Sequence, residues 1–164
     1  MYLDTTYAHP RHCFQSQDDS IVQIVEQTKE FFASHGVERS VVYLSAYTIG
    51  KEKVIFAVCD ELQLPIYMDD DKLLIMRQIE GGIERIKQGL FVSDPTLAHI
   101  HICKMGFAGS LHPFFKPHFE NIAANIEHLN SLLQAMTTTP KDAAVEHLLT
   151  IEHSLAFIPS GWAG

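Results

Sequence analysis

Cysteine is scarce in this sequence, and positive charge is thin. Cys13, Cys59 and Cys103 are the only three cysteines in 164 residues, and none forms a Cys-x-x-Cys pair. That argues against a disulfide framework and against a zinc ribbon, and leaves reduced thiols. The 12 Lys and Arg are outnumbered by 20 Asp and Glu, a formal net charge of −8. Nucleic acid is therefore not held by bulk attraction, and any contact with it must be local. The 10 histidines soften this balance only below about pH 6.5. No apolar run approaches the roughly 18 residues that span a bilayer, and the opening residues carry Asp4 where a signal segment would be basic and then apolar. The expectation is a soluble, intracellular protein with no membrane partner. A Walker loop is missing too: Ser45 and Glu52 stand where that motif needs Gly five residues before the Gly50-Lys51 pair and Ser or Thr after it. A nucleotide-hydrolysing site is unsupported.

What is present is 46% hydrophobic and 20% charged, enough for one globular domain over 1–164 with a real core. The stretch that organises it runs from Val41 to Val58. An uncharged β-branched and aromatic run, Val-Val-Tyr-Leu-Ser-Ala-Tyr, is followed by Thr-Ile-Gly-Lys-Glu-Lys and then by Val54, Ile55, Val58 and Leu62 at helical spacing. This pattern predicts a buried strand feeding a helix through a tight turn at Gly50. Lys51 and Lys53 then fall in the first helical turn, where the backbone dipole disfavours a cation. Either they are solvated surface residues, or an anion such as phosphate sits on the free N–H groups between them.

The rest of the chain alternates in the same way. Met1 to Pro10 looks like the end of a strand that Asp4 leaves, an abrupt opening that suggests an excerpt or a shortened gene product. Ser20 and Gln23 form a capping-box pattern ahead of Ile21, Ile24, Val25, Thr28, Phe31 and Phe32, a helix stopped by Gly36. Leu64–Met68 reads as a short strand. Asp69, Asp70 and Asp71 suit the positive end of a helix carrying Leu73, Leu74 and Met76. They suit a cap better than a metal site, because adjacent helical side chains point about 100° apart. Gly81-Gly82 breaks the pattern before a weak helix to Gln88 and a short apolar segment, Leu90–Pro95. Leu97–Met105 is a strand candidate, and Gly106, Gly109, Pro113 and Pro117 mark a loop. Ile122, Ile126, Leu129, Leu132, Leu133 and Met136 keep helical spacing. Thr139, Pro140 and Asp142 start another helix through Ile151, and Ser154–Pro159 closes as a strand. The fold class expected is α/β, a mostly parallel sheet with helices on both faces.

Two constellations invite chemistry. His99, His101 and Cys103 share one face of the predicted strand, an alternation a zinc site could use, with Ile100 and Ile102 on the other. The triplet resembles the start of a His-x-His-x-Asp-His signature, but Cys103 and Lys104 occupy the Asp and His places, so a structural role is the better reading. His9 with His12 is weaker, and Cys13 has no base partner for nucleophilic work. Asp4, followed by Thr5 and Thr6, is by itself a turn or capping residue.

Three blocks change that weighting: Tyr2-Leu3-Asp4-Thr5-Thr6-Tyr7, Tyr47-Thr48-Ile49-Gly50-Lys51-Glu52-Lys53-Val54 and Phe157-Ile158-Pro159-Ser160-Gly161-Trp162. In order and approximate separation they resemble the DNA-repair metallo-β-lactamase nucleases, the Artemis-like and interstrand cross-link-repair branch of the β-CASP group. The likeness runs over nearly the whole chain. It implies a 5′-to-3′ exonuclease of nuclear DNA repair, in which zinc-activated water attacks a phosphodiester. Asp4 then looks like the acid that opens the β-CASP insertion beside the metal centre, a proton relay. Thr48, Gly50, Lys51 and Lys53 would face the DNA as phosphate contacts, with other DNA-repair proteins as possible partners.

The departures are as informative. The metal-binding histidine block, the ligands that precede the Asp4 position in the family, and the later block whose histidine would partner Asp4 are not in these 164 residues. The resemblance therefore implies the β-CASP portion without the metal-binding lactamase half, no zinc held by this chain, and no hydrolysis by it alone. The alternative is a catalytically inactive stand-alone module that binds DNA or protein. A zinc domain built on His99, His101 and Cys103 is a third, fainter reading.

Overall fold

The computed structural model describes residues 16–110, 115–137 and 150–159. In chain order they form helix α1 (Gln17–His35), strand β1 (Ser40–Ala46), α2 (Glu52–Leu62), β2 (Ile66–Tyr67), α3 (Asp70–Met76) and α4 (Gly82–Lys87). There follow β3 (Phe91–Val92), β4 (Ile100–Lys104), β5 (Gly109–Ser110), β6 (Lys116–Pro117), α5 (Phe119–Thr137) and β7 (His153–Phe157). Five strands make one sheet in the order β3-β2-β4-β1-β7, and every pairing in it is parallel. The short β5 and β6 pair antiparallel, apart from it.

β1 sits between β4 and β7, and all seven of its residues are buried. That is why its sequence is an unbroken apolar run instead of an alternation: a parallel strand covered on both faces has no wet side. On the first face Val42, Leu44, Ile66, Met68, Ile100 and Ile102 meet Phe32 of α1, Val54, Ile55 and Val58 of α2, and Leu73 and Met76 of α3. On the second face Val41 and Tyr43 pack with Leu129 of α5 and with Ile151, and Cys103, Phe107, Ile122 and Ala156 join them. The expected α/β class with helices on both faces is what the structure shows. Among the described residues no helix is long and apolar enough to cross a membrane.

Local details differ from the sequence reading. α1 begins at Gln17, not after Ser20: Ser16 is the N-cap, accepting the Asp19 N–H at 3.1 Å while its hydroxyl donates to the Asp19 carboxylate at 2.7 Å. This reciprocal pair satisfies the helix start, so Ser20 lies inside the helix and donates to Ser16 O. The strand expected over Leu97–Met105 is shorter, because Asp94 and Pro95 start a 3-10 turn through Leu97. Leu74 is 59% exposed and points away from the core. Gly82 is required by close approach: a Cβ there would meet Met76 O at 1.8 Å. The strand ending at Asp4 and the helix starting near Pro140 lie outside the described residues.

Candidate functional site

Strand order places one special position in this sheet. β1 leads through α2, on the first face, to β2; its neighbour β4 leads through α5, on the second face, to β7 on the far side of β1. Two adjacent strands whose connections depart in opposite directions leave a crevice at their C-terminal ends, where open α/β sheets receive ligands. A small cleft lies there, lined by Ala46, Tyr47 and Thr48 after β1, Cys103 and Lys104 at the end of β4, and Asp69 at the start of α3.

The turn leaving β1 at this edge has unusual backbone. Gly50 has φ 118° and Lys51 has φ 68°, ψ 12°, the left-handed conformation. A Cβ on Gly50 would meet nothing within 4 Å, so glycine is needed there for its dihedral and not for space. A lysine in the left-handed region costs about 1 to 2 kcal/mol, and something must hold it there.

The holder is Lys72, which is 4% exposed. From α3 its ammonium donates to Glu52 Oε1 at 2.8 Å, Gly50 O at 3.0 Å, and Tyr47 O and Thr48 O at 3.2 Å each. A buried charge of this kind is tolerable only when its donors are spent. Glu52 completes the arrangement by accepting the Gly50 N–H at 2.7 Å. Burial alone would push the Glu52 carboxyl up, but the hydrogen bonds from Lys72, Gly50 N–H and its own N–H, with the Lys72 charge, hold it below the usual carboxylate range.

The lysines expected in the first turn of α2 are placed differently. Lys51 is the N-cap, one residue before the helix. It is half-buried and lines a separate hollow with Gln17, Ser20, Ile24, Val54 and Pro159; burial lowers its amine pKa. Lys53 is exposed and ion-paired with Asp18 in the first turn of α1. The anion at the start of α2 is thus the chain's own Glu52. The structure brings Thr48, Gly50 and Lys51 to one edge, but Thr48 faces the crevice while Lys51 faces the neighbouring hollow, and Lys53 lines neither. Asp4 lies outside the described residues, as do His9, His12, Cys13 and the block Ser160–Trp162.

Sequence reasoning missed Lys72, though a signal existed. Lys72, Leu73 and Met76 are the buried residues of α3, so the lysine stands on the apolar stripe, four positions before Met76.

His99, His101 and Cys103 do not converge on a metal. His101 is buried, and its Nε2–H is shared between Pro95 O at 3.1 Å and Ala98 O at 3.0 Å. His99 lies just before β4, and its Nδ1 is 3.1 Å from Ser40 O. Cys103 Sγ is 3.4 Å from Ser45 Oγ, and burial raises its thiol pKa despite that contact. Among the described residues no three His, Cys, Asp or Glu side chains gather as metal ligands, so these residues do not fit a zinc centre.

No protein-family model matches the chain. Over 105 residues, 64% of the chain, it is 35% identical to DNA cross-link repair protein pso2/snm1 of Schizosaccharomyces pombe, covering 18% of that protein. Over 163 residues, 99% of the chain, it is 27% identical to DNA cross-link repair 1A protein of Gallus gallus, covering 13% of it. It is also 25% identical over 122 residues, 73% of the chain, to DNA ligase 6 of Arabidopsis thaliana, covering 8% of it. The chain spans less than a fifth of the length of each of these three curated relatives.

Proposed function

We propose that this chain, which is similar over part of its length to DNA cross-link repair proteins and carries the three blocks that resemble the β-CASP metallo-β-lactamase nucleases, is the β-CASP portion of a 5′-to-3′ exodeoxyribonuclease. It acts in the repair of interstrand cross-links and double-strand breaks. Its part is to bind DNA and to form one side of the cleft in which a phosphodiester is cut. The observation that carries this reading is the placement of the Tyr47–Lys51 turn at the C-terminal edge of the parallel sheet, beside the crevice between β1 and β4. That turn belongs to one of the three blocks on which the family likeness rests, and its Lys51 stands at the start of α2.

In this reading Lys51 contacts a phosphate, Thr48 and Gly50 shape the adjoining backbone, and Lys53 contributes at longer range once it leaves Asp18. Asp4 serves as the acid beside the metal centre. In this reading the metal that activates water is held by residues other than His99, His101 and Cys103, which do not gather as metal ligands. The chain acts in the nucleus, where its DNA substrate is.

The test is DNA binding by the chain across a salt series. Lys51→Ala is expected to weaken binding and to reduce the slope of log K against log salt by about 0.7 to 0.9, the loss of one phosphate contact. Lys53→Ala should change the slope by less, because Asp18 already neutralises it. An unaltered slope for Lys51→Ala would remove the phosphate role. The chain alone is expected to show no nuclease activity with added zinc; metal-dependent cleavage by it would mean a complete site within these 164 residues.

A further inference from the structure

The buried lysine has no role in the reading above, and its position calls for one. Tyr47 is 55% exposed and Ile49 is 77% exposed, so the turn between β1 and α2 is not ordered by burying its own side chains. What ties it down is polar and comes from beneath. Lys72 reaches three carbonyls of the turn, those of Tyr47, Thr48 and Gly50, and the carboxylate of Glu52 that caps Gly50 N–H. The residue between those tethered carbonyls and α2 is Lys51, in a left-handed conformation unusual for a side chain with a Cβ. A strained residue persists where its surroundings over-determine it, and such residues concentrate where geometry matters for function. Here the surroundings are the Lys72 ammonium, the Glu52 carboxylate it holds, and the Ile55 N–H that donates to Lys51 O at 3.1 Å.

We propose that Lys72 is a positioning residue, fixing the Tyr47–Glu52 backbone so that Lys51 is presented in the one orientation that meets a phosphate. This rests on the phosphate role assigned to Lys51, and deepens it by naming the group that sets its geometry. Lys72 touches no ligand in this account. Its donors are consumed inside the protein, and it acts only through the turn. Pre-organisation of this kind removes the ordering cost that a loose loop would bear on binding.

Two kinds of measurement on the chain separate this inference from the reading beneath it. The first needs no DNA. Backbone amide order parameters for residues 47–52 are expected to fall from about 0.85 to below about 0.6 in Lys72→Met, with the rest of the sheet unchanged. Lys72→Met leaves Glu52 without its partner and risks misfolding, so Glu52→Gln combined with Lys72→Met is the second variant. It restores neutrality yet removes the tether, and is expected to loosen the turn equally. Order parameters unchanged in the double variant would overturn the inference whatever DNA does.

The second measurement is affinity for a 5′-phosphorylated oligonucleotide. Lys51→Ala and Lys72→Met are each expected to weaken binding by about tenfold, as loss of one charge-assisted contact does. Together they should be no worse than either alone, since both remove the same contact. If Lys51→Ala weakens binding but Lys72→Met does not, or if the two effects multiply, the positioning role fails while the phosphate role stands. If Lys51→Ala has no effect, the phosphate role fails first and takes the DNA part of this inference with it.

Discussion

The two faces of the sheet are covered by different chemistry. On the first, Val42, Leu44, Ile66, Met68 and Ile100 meet Val54, Ile55 and Val58, an aliphatic layer whose members can exchange neighbours of similar volume. On the second, the same strands present Tyr43, Ser45, His101 and Cys103, whose hydroxyls, thiol and imidazole Nε2 each have a named partner. Tyr43 Oη donates to Asn125 Oδ1 of α5 at 2.8 Å, His101 is held by Pro95 and Ala98, and Ser45 meets Cys103. Dispersion and burial make the first face strong but tolerant of exchange. Satisfied hydrogen bonds make the second face less apolar but fix which element lies over which strand. The crevice between β1 and β4 sits where these two coverings part.

That contrast is open to direct attack, and the largest expected effect is on the aliphatic side. Ile55 is fully buried, at 0% exposure, and Ile55→Ala should cost about 4 kcal/mol from lost burial and the cavity left behind. Urea unfolding followed by circular dichroism measures it. A loss below about 1 kcal/mol would mean that α2 is not the principal cover of this face.

The polar face should instead be sensitive to pH. Burial pushes the His101 imidazole down to about 4 from 6.5, although hydrogen bonds to the Ala98 and Pro95 carbonyls oppose the shift. In that interval the unfolded chain binds more protons than the folded one. Stability is therefore complete above about pH 6.5 and declines as pH falls toward 4, by about 2 kcal/mol between pH 7 and pH 5. Other histidines titrate in the same range, so the quantity to read is the difference between wild type and His101→Gln, which keeps an amide donor but no titration. Parallel pH profiles for the two would show that His101 charges without penalty and that this face is wetter than it looks.

How much of this was legible in the sequence follows from the reach of each interaction. β1 and α2 were visible because an uncharged β-branched run and i, i+3, i+4 spacing are local patterns, and the α5 stripe was visible for the same reason. β2 and β3 have two residues each, and pairing with a buried neighbour creates them more than any propensity does. The site was harder to read. Lys72 follows three aspartates and looks like surface charge, because the acceptors that make its burial tolerable lie 20 to 25 positions earlier in the chain. The Lys53 partner, Asp18, is 35 positions away. That Thr48 and Lys51 face different hollows depends on two positive φ angles, which Gly50 hinted at and Lys51 did not.

The smallest expected effect tests the contrast most sharply. Tyr43→Phe keeps the ring in its place between His101 and Phe107, 5.8 and 5.4 Å away between centroids, and removes only the hydroxyl that meets Asn125. Burial and the nearby Cys103 already raise the phenol pKa, so the group stays a donor throughout the useful pH range. The net loss for one such hydrogen bond is about 1 kcal/mol, far below the cost of Ile55→Ala. Magnitude alone would not distinguish it from a lost contact anywhere in the core. A double-mutant cycle with Asn125→Ala does, because the coupling energy belongs to the pair and not to the space the hydroxyl fills. Coupling near 1 kcal/mol would show that α5 is held over β1 by a specific polar contact, as the second face requires. Coupling near zero would mean the hydroxyl finds water as readily as Asn125, and on this count the two faces would be alike.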